Sequence, residues 1–179
     1  MDFIPFPKIP RLKRGCVITE KIDGTNAQIV VTEDGQVLAG SRKRWITPED
    51  DNFGFARWVK THEEELRDGL GIGQHFGEWW GTGIQRGYHL SEKRFSLFNV
   101  SVWRDGRKPR PECCSVVPLL YEGEFSTGGI EDTLQELREK GSIAAPGFMK
   151  PEGIVVYLPA ARNLYKVMCE NDDTPKGEE

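Results

Sequence analysis

The residues of this chain whose types and spacing could do covalent chemistry are centred on Lys21, in Thr19-Glu20-Lys21-Ile22-Asp23-Gly24-Thr25-Asn26. The lysine stands just past a strand-like run, Cys16-Val17-Ile18-Thr19, and is followed by a carboxylate, a turn-forming glycine and a carboxamide. A lysine held rigidly in a partly dry pocket can attack phosphorus. At an ordinary pKa of ~10.4, only about one lysine in a thousand is neutral near pH 7.4. Lowering that pKa costs about 1.4 kcal/mol per unit, which burial and a neighbouring cation can supply. Alone, Lys-x-Asp-Gly also describes a surface hairpin with a solvated lysine.

The surrounding pattern predicts elements that would hold this lysine. Pro5, Pro7 and Pro10 make the opening an extended arm. Cys16 to Thr19, Ala27 to Val31 and Gln36 to Ala39 read as strands, with Asp34-Gly35 as a hairpin turn, so the lysine would lie between two strands of one antiparallel sheet. Asn52 to Leu70 has helical period, with Phe55, Val59, His62 and Leu66 on one face and Gly69 and Gly71 ending it. His62 is then a core or boundary residue, and His75 and His89 lack any partner spacing. Gln74 to Trp80 reads as a strand entering the glycine-rich loop Gly81 to Gly87, and Phe95 to Trp103 as a strand turned by Asp105-Gly106. Val116 to Tyr121 is a strand at an edge or bulge because it contains Pro118. A helix over Ile130 to Lys140 stops at Gly141, and strands over Gly153 to Leu158 and Asn163 to Met168 close the domain. Trp79 and Trp80, adjacent on one strand, point to opposite faces.

With 179 residues, 37% hydrophobic and 29% charged, the chain is sized for one domain with a real core. No apolar run is long enough to span a bilayer and no charged-then-apolar leader opens the sequence, so the expected location is cytoplasmic, with no membrane partner. Cys16, Cys113, Cys114 and Cys169 have no metal-ligand spacing and are expected to be reduced. The net charge of −4 is concentrated in the last ten residues, which hold five acids and one lysine and read as a disordered tail. The remainder is formally neutral, and its basic clusters Lys8-Arg11-Lys13-Arg14 and Arg42-Lys43-Arg44 could form a local phosphate-binding face.

Five segments stand in fixed order on strands or their ends: Glu20 to Gly24, Ser41-Arg42, Gly77 to Gly81, Phe95 to Val100 and Pro151 to Val156, with Leu164 to Met168 as a partial sixth. This series resembles motifs I, Ia, III, IIIa, IV and V of the covalent nucleotidyltransferases, the ATP-dependent ligases and mRNA capping enzymes. It is most similar to the RNA ligase 2 type, through Asn26 and the phrase Phe76-Gly77-Glu78-x-x-Gly81-x-Gly83-Ile84-Gln85. The resemblance implies an α+β fold: antiparallel sheets with flanking helices forming a nucleotide pocket, related to the ATP-grasp fold. Residues 1–169 would be the nucleotidyltransferase domain with its arm, and 170–179 the tail. It also implies ATP and Mg²⁺ or Mn²⁺ as cofactors, and nucleic acid with 5′-phosphate and 3′-hydroxyl ends as partner, RNA favoured.

By the same resemblance, Lys21 takes AMP from ATP as a phosphoramide. Glu20 reads the adenine edge, Arg42 and Glu78 hold the ribose or the 5′-phosphate end, and Phe98 stacks on the base at ~1–3 kcal/mol. Asn26 positions the phosphate, Lys166 neutralises it, and Glu152 and Asp23 hold the metal. Two departures stand out. The family's second motif V lysine is replaced by Met168, so Lys166 acts alone or Lys150 or Lys176 substitutes. Family members usually carry an OB fold or a helical module after motif V, whereas eleven residues follow Met168 in this sequence. Grip on the nucleic acid is therefore expected from the catalytic domain, the basic arm or a partner protein. The alternatives are a GTP-dependent capping guanylyltransferase, in which arginine usually stands at the place of Asn26, and a nucleotide- or RNA-end-binding protein without turnover.

Overall fold

The computed structural model describes residues 2–9, 11, 13–104, 108–170 and 172. The Asp105-Gly106 turn, Pro10, Lys176 and most of the acidic tail lie outside the described residues. Two sheets carry the fold. The smaller has the order β10-β9-β1-β8, from β1 (Gly15–Lys21), β8 (Leu119–Glu124), β9 (Gly153–Leu158) and β10 (Asn163–Met168). The larger has the order β4-β3-β2-β5-β6-β7, from β2 (Thr25–Val31), β3 (Val37–Ser41), β4 (Trp45–Ile46), β5 (Gly73–Gly81), β6 (Lys93–Leu97) and β7 (Cys114–Val116). Every pairing is antiparallel except β6 with β7, which is parallel and is reached through a crossover holding the short helix α3 (Val100–Trp103).

Three apolar clusters hold these layers. One face of the larger sheet (Ile29, Val31, Trp79, Phe95) packs under α1 (Phe55–Thr61) and α2 (Glu63–Leu70) through Phe55, Val59, Leu66 and Leu70. Cys16, Ile18, Ile154 and Val156 of the smaller sheet pack under α4 (Thr127–Lys140) through Leu134 and Leu137. The third cluster joins the remaining sheet faces at one end, with Trp80, Ile22, Tyr88, Val117 and Phe148 at its centre and Val17 beside it. Trp79 and Trp80 are both buried, on opposite faces of β5 as alternation requires.

The lysine does not lie between two strands of one sheet. β1 belongs to the smaller sheet and β2 to the larger, so Ile22-Asp23-Gly24 is the crossing between sheets. The helix expected over Asn52 to Leu70 is two helices meeting at His62 (φ −107°, ψ 19°), where Glu63, Glu64 and Glu65 favour a new N-terminus. His62 itself is half-buried, its Nδ1 2.8 Å from the Trp58 carbonyl. The strand expected over Phe95 to Trp103 ends at Leu97, because Asn99 turns the chain into α3 and Trp103 reaches the helix-side core. The strand expected over Val116 to Tyr121 is divided at Pro118 between β7 and β8, edge strands of different sheets. α4 starts at Thr127 rather than Ile130, since Ser126 caps it by accepting the Gly129 N–H at 3.0 Å. All four cysteines are unpaired. Among the described residues no helix is long and apolar enough to cross a membrane.

Candidate active site

Alternation along β1 separates its last two residues. Glu20 shares the face of Cys16 and Ile18 toward α4, whereas Lys21 projects from the other face, toward the larger sheet. Lys21 pairs with Gly153 on β9, which pairs in turn with Met168 on β10, so the three form one row across the sheet. Any side chain at 153 would collide, since a Cβ there would lie 2.2 Å from the Val167 carbonyl oxygen. Glu152, just before β9 and 1% exposed, accepts from the Lys21 amine at 2.5 Å. Lys166 is exposed, pairs with Val155 and lies on the Lys21 face, one row further along.

The larger sheet supplies the opposing group. Asn26 and Glu78 are direct cross-strand partners, and Asn26 Nδ2 donates to Glu78 Oε2 at 3.0 Å. The Gly24 N–H donates to Oε1 at 3.1 Å. Gly24 is required by close approach: a Cβ there would lie 2.4 Å from the Trp79 carbonyl oxygen and 2.7 Å from Trp80 Cβ. Burial pushes the Glu78 carboxyl up to about 7, against the lowering influence of the Lys21 charge and of the hydrogen bonds from Asn26 and Gly24, while Glu152 adds to the rise. Lys21, Glu152, Glu78 and Asn26 therefore share one electrostatic neighbourhood.

Four other expected residues sit differently. Glu20 is 1% exposed and accepts from Ser142 Oγ at 2.5 Å and from the Ile143 and Ala144 N–H groups at 2.8 and 2.9 Å. Desolvation raises its pKa against those hydrogen bonds. Its carboxylate fastens the loop after α4 and points away from the Lys21 face, which does not fit an adenine-reading role for that side chain. Asp23 is fastened too: its N–H donates to the Tyr88 hydroxyl at 2.7 Å and its carboxylate accepts from Arg86 Nε at 2.9 Å. Arg42 is exposed just past β3, on the Asn26 side by register. Phe98 is 40% exposed, and its N–H donates to the Phe76 carbonyl at 3.0 Å.

Arg86, Tyr88 and Ser142 were not legible as site residues. Arg86 also donates to the Lys150 carbonyl at 3.1 Å, tying the Asp23 turn to the segment before Glu152. The sequence signal available was the glycine-rich loop, whose backbone takes positive φ at Gly81, Gly83 and Gly87 and also at Gln85, Tyr88 and His89. Such conformations persist only where contacts over-determine them.

Among the described residues no group of three or more His, Cys, Asp or Glu could hold a metal ion. Mg²⁺ commonly binds through one or two carboxylates plus substrate phosphates and water. Glu152 beside Lys21 fits that manner of binding, whereas the Asp23 carboxylate is engaged by Arg86.

A family profile described as RNA ligase matches residues 14–168. Among solved structures, Naegleria gruberi RNA ligase with ATP and Mn, as a lysine-to-alanine mutant, is 18% identical with a TM-score of 0.61, over 87% of this chain and 50% of that one. The same protein with PPi is 19% identical with a TM-score of 0.60, over 87% and 49%. A lysine-to-methionine mutant with AMP and Mn is 18% identical with a TM-score of 0.61, over 87% and 49%. At these identities the likeness is one of fold, and the chain spans about half the length of those structures. The profile covers most of the sequence and every segment of the motif series, and the chain belongs to the RNA ligase family.

Proposed function

We propose that this chain is the nucleotidyltransferase part of an ATP-dependent RNA ligase that joins 5′-phosphate to 3′-hydroxyl ends. The observation that carries this reading is the Lys21 amine, at the end of β1, 2.5 Å from a buried carboxylate and facing the Asn26–Glu78 pair. In the first step the Nζ lone pair forms a P–N bond to the α-phosphorus of ATP. The P–O bond to pyrophosphate breaks, and pyrophosphate leaves with that electron pair. Nζ sheds one proton to Glu152, which already accepts its hydrogen bond, to free the lone pair. The second proton leaves with pyrophosphate or passes to solvent water as the P–N bond forms. AMP then passes from Lys21 to the 5′-phosphate end, and a 3′-hydroxyl displaces it as the strand is sealed.

Lys166, on the same sheet face, offsets charge growing on the phosphate, and Asn26 orients it. Glu78 accepts from the ribose, with Arg42 at the rim, and Phe98 offers a ring to the base. A divalent ion, Mg²⁺ or Mn²⁺, carried by the triphosphate would neutralise phosphate charge, with Glu152 as its protein ligand and Asp23 in reach through water. The Naegleria structures with ATP, AMP, PPi and Mn support this choice of nucleotide and metal. The reduced cysteines agree with a cytoplasmic setting, and a partner protein or further segment would add grip on the nucleic acid.

Intact-protein mass spectrometry after incubation with ATP and Mg²⁺ tests the reading. The expected result is a gain of one AMP, absent in Lys21→Ala and absent with GTP. Transfer from GTP alone would make the chain a guanylyltransferase. Nucleotide binding with no adduct, which Met168 in the Lys21 row makes a concrete alternative, would leave a binding protein without turnover.

A further inference from the structure

The face of the larger sheet that carries Glu78 grades from closed to open. Along β5 the residues of this face are Trp80, Glu78 and Phe76, exposed 1%, 7% and 52%. On β6 Ser96 is 1% exposed, and Phe98, one residue past the end of that strand, is 40% exposed. Ser96 pairs with Glu78, and the Phe98 N–H to the Phe76 carbonyl continues that ladder by one step. Two exposed phenylalanines are therefore joined through the backbone directly beyond the Asn26–Glu78 pair. β5 is a central strand, so Phe76 is a mid-sheet aromatic left uncovered on the side that faces the site.

On its β2 side, the groups next to Phe76 are polar and held in place. On β2 its partner is Gln28, whose Oε1 accepts from Gln74 and whose Nε2 donates to the Ser41 carbonyl at 3.3 Å. Gly40 leaves room for that carboxamide, since a Cβ there would come within 2.7 Å of Gln28 Cγ. Arg42 follows at the rim. A flat apolar ring flanked by fixed carboxamides and a guanidinium matches a base with its sugar and phosphate. A protein partner would instead call for a contiguous apolar patch.

We propose that Phe76 is the stacking platform for a nucleobase of the polynucleotide end being joined, separate from the base of the bound nucleotide. This rests on the ligase reading above. The ring would contribute roughly 1–3 kcal/mol of stacking, which is about 5- to 150-fold in affinity.

The test uses a nicked RNA duplex with a 5′-phosphate and 2-aminopurine placed, in turn, at the first base on each side of the nick. For the wild type, one of the two positions shows a fluorescence change on binding. Phe76→Ala is expected to weaken duplex binding about 5- to 150-fold and to abolish that change, with a smaller loss in lysyl-AMP formation. Phe76→Trp restores both. Unaltered binding and fluorescence in Phe76→Ala overturn the proposal. So does a loss of lysyl-AMP as deep as in Phe98→Ala, which assigns the ring to the nucleotide's own base. A change confined to oligomeric state also overturns it, since a second copy would then cover the ring. Absence of a wild-type adduct refutes the ligase reading instead, and the binding arm is read without it.

Discussion

Glu78 is the residue at which burial and charge are most finely opposed. Its carboxyl is 7% exposed and pushed up to about 7, against an unfolded value near 4.5. The native state therefore holds this proton more tightly than the unfolded chain does. The stability that goes with the proton is fully present below pH 4.5 and is lost as pH rises through 7. At about 1.4 kcal/mol per unit the loss is about 3–4 kcal/mol. Glu78→Gln cannot titrate, so the stability difference between wild type and variant, measured by urea unfolding from pH 4.5 to 8, should fall against the wild type by that order. A flat difference would mean that Glu78 titrates normally. Lys166 behaves oppositely, because it is exposed and buries nothing. Lys166→Ala should leave stability within about 0.5 kcal/mol and slow lysyl-AMP formation by about a hundredfold, as read by adduct yield against time.

At the level of elements, the loop from Gly81 to His89 acts as a latch on the crossing between the two sheets. Tyr88 accepts from the Asp23 N–H, Arg86 holds the Asp23 carboxylate, and three non-glycine residues take positive φ to make this possible. Tyr88→Phe keeps the buried ring against Trp80 and Phe148 but removes the hydroxyl that accepts from the Asp23 N–H. The expected cost is about 1–3 kcal/mol, seen as a melting temperature several degrees lower, with slower adduct formation because the turn after Lys21 loosens. The latch also marks where sequence reasoning stops. β9 and β10 were legible to the residue, because alternating apolar runs bounded by glycine and turn residues specify strands locally. Lys21, Asn26, Glu78 and Glu152 were legible as a set from their motif order. Arg86 and Tyr88 find Asp23 across 63 and 65 residues through left-handed backbone, and no local pattern encodes that. The helix break at His62 and the change of sheet at Pro118 were missed for a related reason. Periodicity reports which face is apolar, not which of two layers will cover it.

Over the whole molecule, a formal charge of −4 says little about the face that meets the polynucleotide. Arg42 and Lys43 are exposed beside the Asn26 row, whereas Arg44 is engaged by Asp50 through both terminal guanidinium nitrogens, Nη2 at 3.0 Å. Arg44 is thus partly neutralised before any phosphate arrives, and the effective cluster is two charges rather than three. Each phosphate contact on a single strand contributes about 0.7 to the slope of log affinity against log salt. The double variant Arg42→Ala/Lys43→Ala should flatten that slope by about 1.4 for a 5′-phosphorylated single-stranded RNA, measured by fluorescence anisotropy across a salt titration. Arg44→Ala should change it by less, since releasing Asp50 returns a negative charge to the same surface. If the slope is unaltered in the double variant, the polynucleotide runs past the smaller sheet instead. Lys150, Lys166 and the basic arm from Lys8 to Arg14 would then carry its phosphates.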